Sequence, residues 1–394
     1  MLDNAGPEPP GSADGPHSAG VTVLFLSPAT EFVGGAEQSL MDLVANPAIH
    51  AVVATPGHGA LAERAAQLGA GLRTFSYGAI ADVRRPFKMR SVLTSFRDSI
   101  RLARQLARIA GEEKAQIIHS NGLKVHVVAC LARLFGAPPV FVHIRDIPYT
   151  RTEAMVWHLF QLLASRIILV SRACWPGKAL PRQARIIHNG VHVPLTTLPD
   201  HPPGRPIAIG FLGRISPLKG LRMLVEWIAQ CRTAGLDIRL IVRGGVQPNN
   251  ADYFREVQNT VASHHLESIC RFDDERHGLE AIYENVDVIA VPSNIPDPLP
   301  RVVMEGMSLG LPVIGYPAGG IPDMIQPGKT GYLASTGAEF CDAVVDLVGT
   351  PGRFDEIRRN GFAWVRQNMT LDALYRNINR EYRACVPKQR THHG

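Results

Sequence analysis

The chain has 394 residues, 45% of them hydrophobic, enough for two or three domains that each bury a core. Its 41 Lys and Arg outnumber 35 Asp and Glu, but the surplus is local. Residues 1–193 hold 20 basic and 13 acidic side chains, residues 194–394 hold 21 and 22, and Arg84 to Arg108 alone holds eight basic groups and one acid. That distribution argues against a diffuse nucleic-acid-binding surface and for one local anionic contact.

The first 20 residues contain four Gly and four Pro without a basic or apolar run, which reads as a disordered tail rather than a signal peptide. From Val21 onward, short apolar runs alternate with longer helical patterns: Val21 to Leu26, Ala51 to Ala54, Ile117 to His119, Val140 to Ile144 and Ile167 to Val170. Continuous apolar strands separated by helices predict a parallel sheet covered on both faces, so residues 21–193 read as one doubly wound α/β domain. Pro194 to Pro206 holds five Pro and almost no apolar period, and reads as the linker. The rhythm restarts at Ile207 to Leu212, Ile238 to Val242, Val286 to Val291 and Pro312 to Tyr316, giving a second α/β domain over 207–370. A last helix over 371–386 is expected to cross back onto the first domain, and 387–394 to form a tail. The most apolar stretches, Val125 to Ile144 and Met155 to Val170, contain Arg133 and Arg166, so no spanning helix is expected. Cys130, Cys174, Cys231, Cys270, Cys341 and Cys385 show no paired spacing. The expectation is reduced, buried thiols in a cytoplasmic protein without structural zinc.

In open parallel sheets ligands bind beyond the carboxyl ends of the strands. After the first strand, Gly34 and Gly35 lead into a helix, where backbone N–H groups suit a phosphate. Gly57 to Ala62 matches a loose dinucleotide pattern but follows the second strand, and reads as a structural turn. In the second domain, Arg214 and Lys219 stand in a Gly/Pro-shaped loop, a planar fork and a compact charge that together suit a diphosphate. Asp297 and Glu305, eight residues apart in a Pro-rich loop and the following helix, are placed for two ends of an extended polar ligand. Gly319 and Gly320 mark another strand end.

Together these segments resemble the family 4 glycosyltransferases of the GT-B fold, in which two doubly wound, Rossmann-like parallel-sheet domains face a cleft. The resemblance spans roughly Val21 to Ala384 and rests on Gly34-Gly-Ala-Glu37, Val140-Phe-Val-His143-Ile-Arg-Asp, Leu169-Val-Ser171, Ile187-His-Asn189-Gly190-Val, Gly213-Arg214 with Lys219-Gly220, and Asp297 to Glu305 with Gly319-Gly320. It implies a retaining transferase that takes a sugar from a nucleotide donor. Arg214 and Lys219 would bind the diphosphate and stabilise the leaving group, and Glu305 the ribose hydroxyls. Asp297 would contact the transferred sugar, although the family carries Glu there. His143 matches the family's active-site His; without the family, a lone His on an apolar strand reads as a core residue. Pro300 replaces a common Gly and removes one amide donor, leaving the backbone of Leu299 and Arg301 to meet the ligand. Glu37 falls on the acceptor side.

No Asp-x-Asp occurs, so transfer without a metal or other cofactor is expected, with a glycan or lipid-linked acceptor in cell-surface polysaccharide or glycolipid assembly. A nucleotide-sugar epimerase and an inactive sugar-nucleotide-binding protein are the alternatives, the latter prompted by Asp297 and Pro300. On a helix Arg90, Arg97, Arg101, Arg104 and Arg108 fall within about 60° of one another, while Leu93, Phe96, Ile100, Ala103 and Ala107 form a separate packing stripe. The basic stripe, extended by Arg84, Arg85 and Lys88, has two readings: a solvated face, or a peripheral contact with the anionic inner face of a membrane. Stacking aromatics for nucleic acid are absent.

Overall fold

The computed structural model describes residues 20–31, 34–78, 96–148, 150–273 and 278–386. The expectations for both tails, Leu93, and the basic residues Arg84, Arg85, Lys88 and Arg90 lie outside them. The first sheet is built from β1 (Val21–Leu26), β2 (Ile49–Thr55), β3 (Gly71–Thr74), β4 (Ile117–Asn121), β5 (Val140–Ile144), β6 (Arg166–Leu169) and β7 (Ala184–Ile186). All pairings are parallel, in the order β3-β2-β1-β4-β5-β6-β7. The second contains β8 (Ile207–Leu212), β9 (Ile238–Arg243), β10 (Cys270–Asp273), β11 (Val288–Val291), β12 (Val313–Gly315) and β13 (Tyr332–Leu333), again parallel, in the order β10-β9-β8-β11-β12-β13. In each sheet the order reverses beside the first strand, which opens a crevice at the strands' carboxyl ends.

The first domain's helices are α1 (Gly35–Val44), α2 (Ala60–Gln67), α3 (Phe96–Glu112), α4 (Leu123–Ala132) and α5 (Arg151–Leu163). Those of the second are α6 (Leu221–Thr233), α7 (Ala251–Ser263), α8 (Leu279–Tyr283), α9 (Arg301–Ser308), α10 (Ile321–Met324), α11 (Gly337–Gly349) and α12 (Arg353–Asn368). After α12 the chain returns to the first domain as α13 (Leu371–Cys385). Leu374, Ile378 and Tyr382 of α13 are buried with Leu40 and Leu43 of α1 and Leu61 of α2 on one face of the first sheet. Each aliphatic side chain so buried is worth about 1.5–3 kcal/mol, which fixes the returning helix. Thr370 caps α13 by accepting from the Ala373 N–H, and Val191 N–H donates to the Met369 carbonyl at 2.8 Å. A Cβ on Gly190 would lie 2.8 Å from Leu371 Cα, so the Asn189-Gly190 turn is the close approach at the crossing.

The opposite face is covered by α3, α4 and α5, whose Leu102, Leu106, Val125, Val128, Trp157 and Phe160 enter one core. Two expectations are corrected here. The side of α3 that packs is Leu102, Ala103, Leu106, Ile109 and Ala110, whereas Phe96 is 62% exposed. Leu102, Leu106 and Ile109 form a bulkier stripe than Ala103 and Ala107, and the helix turns to bury it. Nor are all six cysteines free: Cys231 of α6 and Cys341 of α11 form a disulfide with Cα atoms 5.4 Å apart, and Cys270 and Cys385 are only partly buried. The 110-residue separation of that pair leaves no local motif to read.

Candidate active site

At the end of β8 the chain passes through Gly213, in the left-handed region at φ 130°, to Arg214. Arg214 is exposed and has no carboxylate partner among the described residues. Directly opposite lies the N-terminal turn of α1. A Cβ on Gly34 would be 3.7 Å from Arg214 Nη2 and 3.8 Å from Glu37 Oε2, and one on Gly35 would be 3.3 Å from Arg301 Cδ. Helix-start amides without a side-chain cap and two arginine side chains of the other domain therefore share one small volume, an arrangement that attracts an anion.

Lys219 ends a short 3-10 turn and its ammonium pairs with Asp297, the two side chains 30% and 20% exposed. The second Asp297 oxygen accepts from the Leu299 N–H at 3.2 Å. The Leu299 amide, expected to meet the ligand, here holds the loop acid. Gly319 and Gly320 pack against this loop, with Gly320 N–H donating to the Asp297 carbonyl at 2.8 Å. A Cβ on either glycine would overlap the backbone of Asp297 or Pro298.

Arg301, expected to act through its backbone, instead extends its side chain across the cleft. Its Nη1 donates to Asp42 at 2.8 Å and Ser39 at 3.3 Å in the first domain, while Nε donates to Glu305 at 3.1 Å. Burial works against the Arg301 charge, and Asp42 and Glu305 outweigh it, holding the group above its ordinary range. The other Glu305 oxygen accepts from the Tyr283 hydroxyl at 3.0 Å. Burial, reinforced by Glu305, pushes that phenol well up, so it stays a donor.

His143, at the end of β5, is completely buried. Its Nδ1 lies 3.0 Å from His119 Nε2 and 3.3 Å from Arg145 Nη2, and His119 Nδ1 lies 2.6 Å from the Tyr382 hydroxyl of α13. Arginine only donates, so His143 Nδ1 must accept. His119 then donates from Nε2, its Nδ1 accepts from Tyr382, and the His143 proton sits on Nε2, an atom with no protein partner among the described residues. Burial first, and then Arg145, lowers both imidazoles well below the usual range, so both are neutral. Arg145, pushed down by burial to about 10, is held by the side-chain oxygens of Asn121 and Asn189.

Among known proteins, residues 206–350 match the model described as "Glycosyl transferases group 1". The GT-B architecture recurs in solved structures: Anabaena HepE in complex with UDP has a TM-score of 0.77 at 21% identity, covering 92% of this chain and 100% of that one. The lipopolysaccharide outer core galactosyltransferase WaaB has a TM-score of 0.71 at 14% identity, covering 92% and 99%. The chain carries a GT-B fold, and within it residues 206–350 are similar to the group 1 glycosyl transferase model. The D-inositol 3-phosphate glycosyltransferase of Corynebacterium glutamicum is 30% identical over 210 residues, 47% of this chain and 46% of that protein. A putative colanic acid biosynthesis glycosyltransferase, WcaL, of Salmonella typhimurium is 26% identical over 138 residues, 33% of each chain. The chain thus spans about half or less of the length of these curated relatives.

The second domain contributes Arg214, Lys219, Asp297, Arg301 and Glu305 to the cleft, and the first domain contributes Gly34, Gly35, Glu37 and His143. Arg97, Arg101 and Arg104 are not part of this cluster. They project from α3, where Arg101 meets Asp98 at 3.1 Å and the Arg104 guanidinium lies 4.9 Å from the Phe135 ring centre. Sequence reasoning missed Asp42, Tyr283, His119 and Tyr382. Arg145 and Asn189 lie inside the segments that carry the family resemblance, where no role was expected of them.

Proposed function

We propose that the chain is a retaining, metal-independent hexosyltransferase that moves a sugar from a nucleoside diphosphate donor to a glycan or lipid-linked acceptor. The observation that carries this reading is the Arg214 guanidinium, without a carboxylate partner among the described residues, facing the N-terminal turn of α1. Breaking the sugar–phosphate bond leaves negative charge on the diphosphate, and Arg214, Lys219 and the α1 amides offset it as it develops. The diphosphate draws Lys219 from Asp297, which frees that carboxylate to accept from hydroxyls of the sugar. Glu305 is 24% exposed and, with one partner on each oxygen, keeps lone pairs for the ribose hydroxyls. The neutral His143 Nε2–H, buried and without a protein partner among the described residues, donates to a sugar or phosphate oxygen once the donor displaces the side chains that cover it, and adds no charge.

The acceptor oxygen attacks the anomeric carbon on the face from which the diphosphate leaves. As that bond forms, the sugar–phosphate C–O bond breaks and the acceptor proton passes to the departing phosphate oxygen, so configuration is retained. Two fixed cations take the part that a divalent ion plays in transferases with an Asp-x-Asp motif, which this sequence lacks. Support for the donor class comes from HepE, solved with UDP and with UDP-glucose. Support for cell-surface polysaccharide or glycolipid assembly comes from the colanic acid and D-inositol 3-phosphate relatives.

A thermal-shift panel of nucleotide sugars tests the reading, followed by mass spectrometry of the stabilising donor with and without acceptor. One uridine-linked donor is expected to raise the melting temperature and to lose its sugar by transfer or slow hydrolysis. An isomerised donor formed without acceptor would make the chain an epimerase, and no stabilisation by any donor would remove the reading.

A further inference from the structure

Outside the cleft, α3, α4 and α5 form one layer over the first sheet, and their outward sides carry side chains that the core does not need. On α5, Trp157 and Phe160 fill the core, yet Met155, Leu159 and Leu162 stand 68%, 57% and 78% exposed on the other side. On α4 and the turn that extends it, Val127 is 38% and Leu134 65% exposed, with Leu131 between them at helical spacing. Together with Phe96 at the start of α3, these include the five most exposed large apolar side chains among the described residues. Beside them runs the exposed row Arg97, Arg101, Arg104 and Arg108 of α3, tied to the end of α4 where Arg104 lies over Phe135. Acids are nearly missing from this layer. Helix α4 has none, the one acid of α5, Glu153, is 2% exposed, and those of α3, Asp98 and Glu112, lie near its two ends.

We infer that the outward face of α3, α4 and α5 docks on an anionic lipid surface, with the apolar stripes of α4 and α5 entering the headgroup boundary and the α3 arginines meeting lipid phosphates. Amphipathic surfaces bind this way through buried apolar area plus attraction to anionic headgroups. No helix among the described residues is long and apolar enough to cross a membrane, so the contact is peripheral. The charge pattern selects the occupant. A second copy meeting this face through its own would set two basic, acid-poor surfaces against each other, whereas an anionic bilayer offers phosphates above acyl chains, in the same order as the two kinds of stripe. Helices α4 and α5 begin just after the carboxyl ends of β4 and β5, so one edge of this face adjoins the cleft. The inference does not depend on the donor chemistry, and the two can fail separately.

Flotation of the full chain with phosphatidylcholine vesicles, and with vesicles of phosphatidylcholine and phosphatidylglycerol in equal parts, tests it. Binding is expected only to the anionic vesicles and should weaken as salt rises. Replacing Arg97→Ser with Arg101→Ser should lower partitioning by about tenfold or more. Leu159→Asp with Leu162→Asp should abolish it while leaving the melting temperature unchanged, because both side chains are exposed. The inference is overturned if the wild-type chain ignores anionic vesicles, or if neither pair of substitutions alters binding. It is equally overturned if light scattering shows a dimer that the Leu159→Asp, Leu162→Asp variant loses, since a second copy would then be the occupant.

Discussion

On the first-domain side of the cleft, His119 and His143 lie in the interior in a directed chain of donors that starts at Tyr382, and the half-buried Arg145 donates to the same His143 nitrogen. On the other side Arg214 is exposed, and Lys219, Asp297, Arg301 and Glu305 remain 19–30% accessible. The contrast separates two ways of making a polar site. Groups sealed from water must have each proton placed in advance, because an unmet partner there costs about 1–3 kcal/mol. Ion pairs at the cleft surface are held weakly, so a ligand carrying its own charge can take one partner and release the other. Lys219 and Asp297 are arranged for that exchange, whereas His143 is arranged to stay as it is.

The largest effect that would sharpen this contrast is on the exposed side. Arg214→Ala should lower transfer by about 10² to 10³ with little change in melting temperature, as expected for a charge that acts only on the ligand. Steady-state rates and thermal melts on the same preparation check it, and a large loss of stability would place Arg214 in the scaffold instead. Next comes pH. His119 and His143 fold with lowered pKa values, so the unfolded chain binds protons first as pH falls. Their contribution is intact above about pH 6.5 and is lost as pH falls toward the folded values, by about 1.4 kcal/mol per pH unit for each group. Denaturant midpoints measured from neutral to mildly acidic pH should fall accordingly, and a flat profile would break the buried side of the comparison. Smallest is Tyr382→Phe, which leaves His119 Nδ1 without its donor at a cost of about 1–3 kcal/mol. Nitrogen-15 spectra of the wild-type chain should show both imidazoles protonated at Nε2, with His119 perturbed in the variant. A wild-type His143 protonated at Nδ1 would contradict the assignment.

The central strands were legible because burial on both faces makes them continuous apolar runs. The four strands without such a signature, β3, β7, β10 and β13, are the four sheet edges, where Gly71-Leu-Arg-Thr or Cys270-Arg-Phe-Asp suffices. Candidate site residues at strand ends, such as Arg214 and His143, could be named from motif and position. The groups that hold Arg301, Glu305 and His119 could not, because Asp42, Tyr283 and Tyr382 come from helices whose own periodicity explains them as ordinary members. The phase of α3 was misread for a related reason: two apolar stripes compete on it, and only the volume under the sheet decides between them. The Cys231–Cys341 pair and the crossing of Arg301 to Asp42 are likewise products of tertiary approach.

The central claim is that the cleft holds a donor through its diphosphate. Calorimetric titration of UDP and of uridine into the wild-type chain and into Arg214→Ala tests it most directly. The account predicts that UDP binds the wild-type chain much more tightly than uridine does, and that Arg214→Ala removes most of this difference. Equal affinity for the two ligands, or a UDP affinity that Arg214→Ala leaves unchanged, would contradict it.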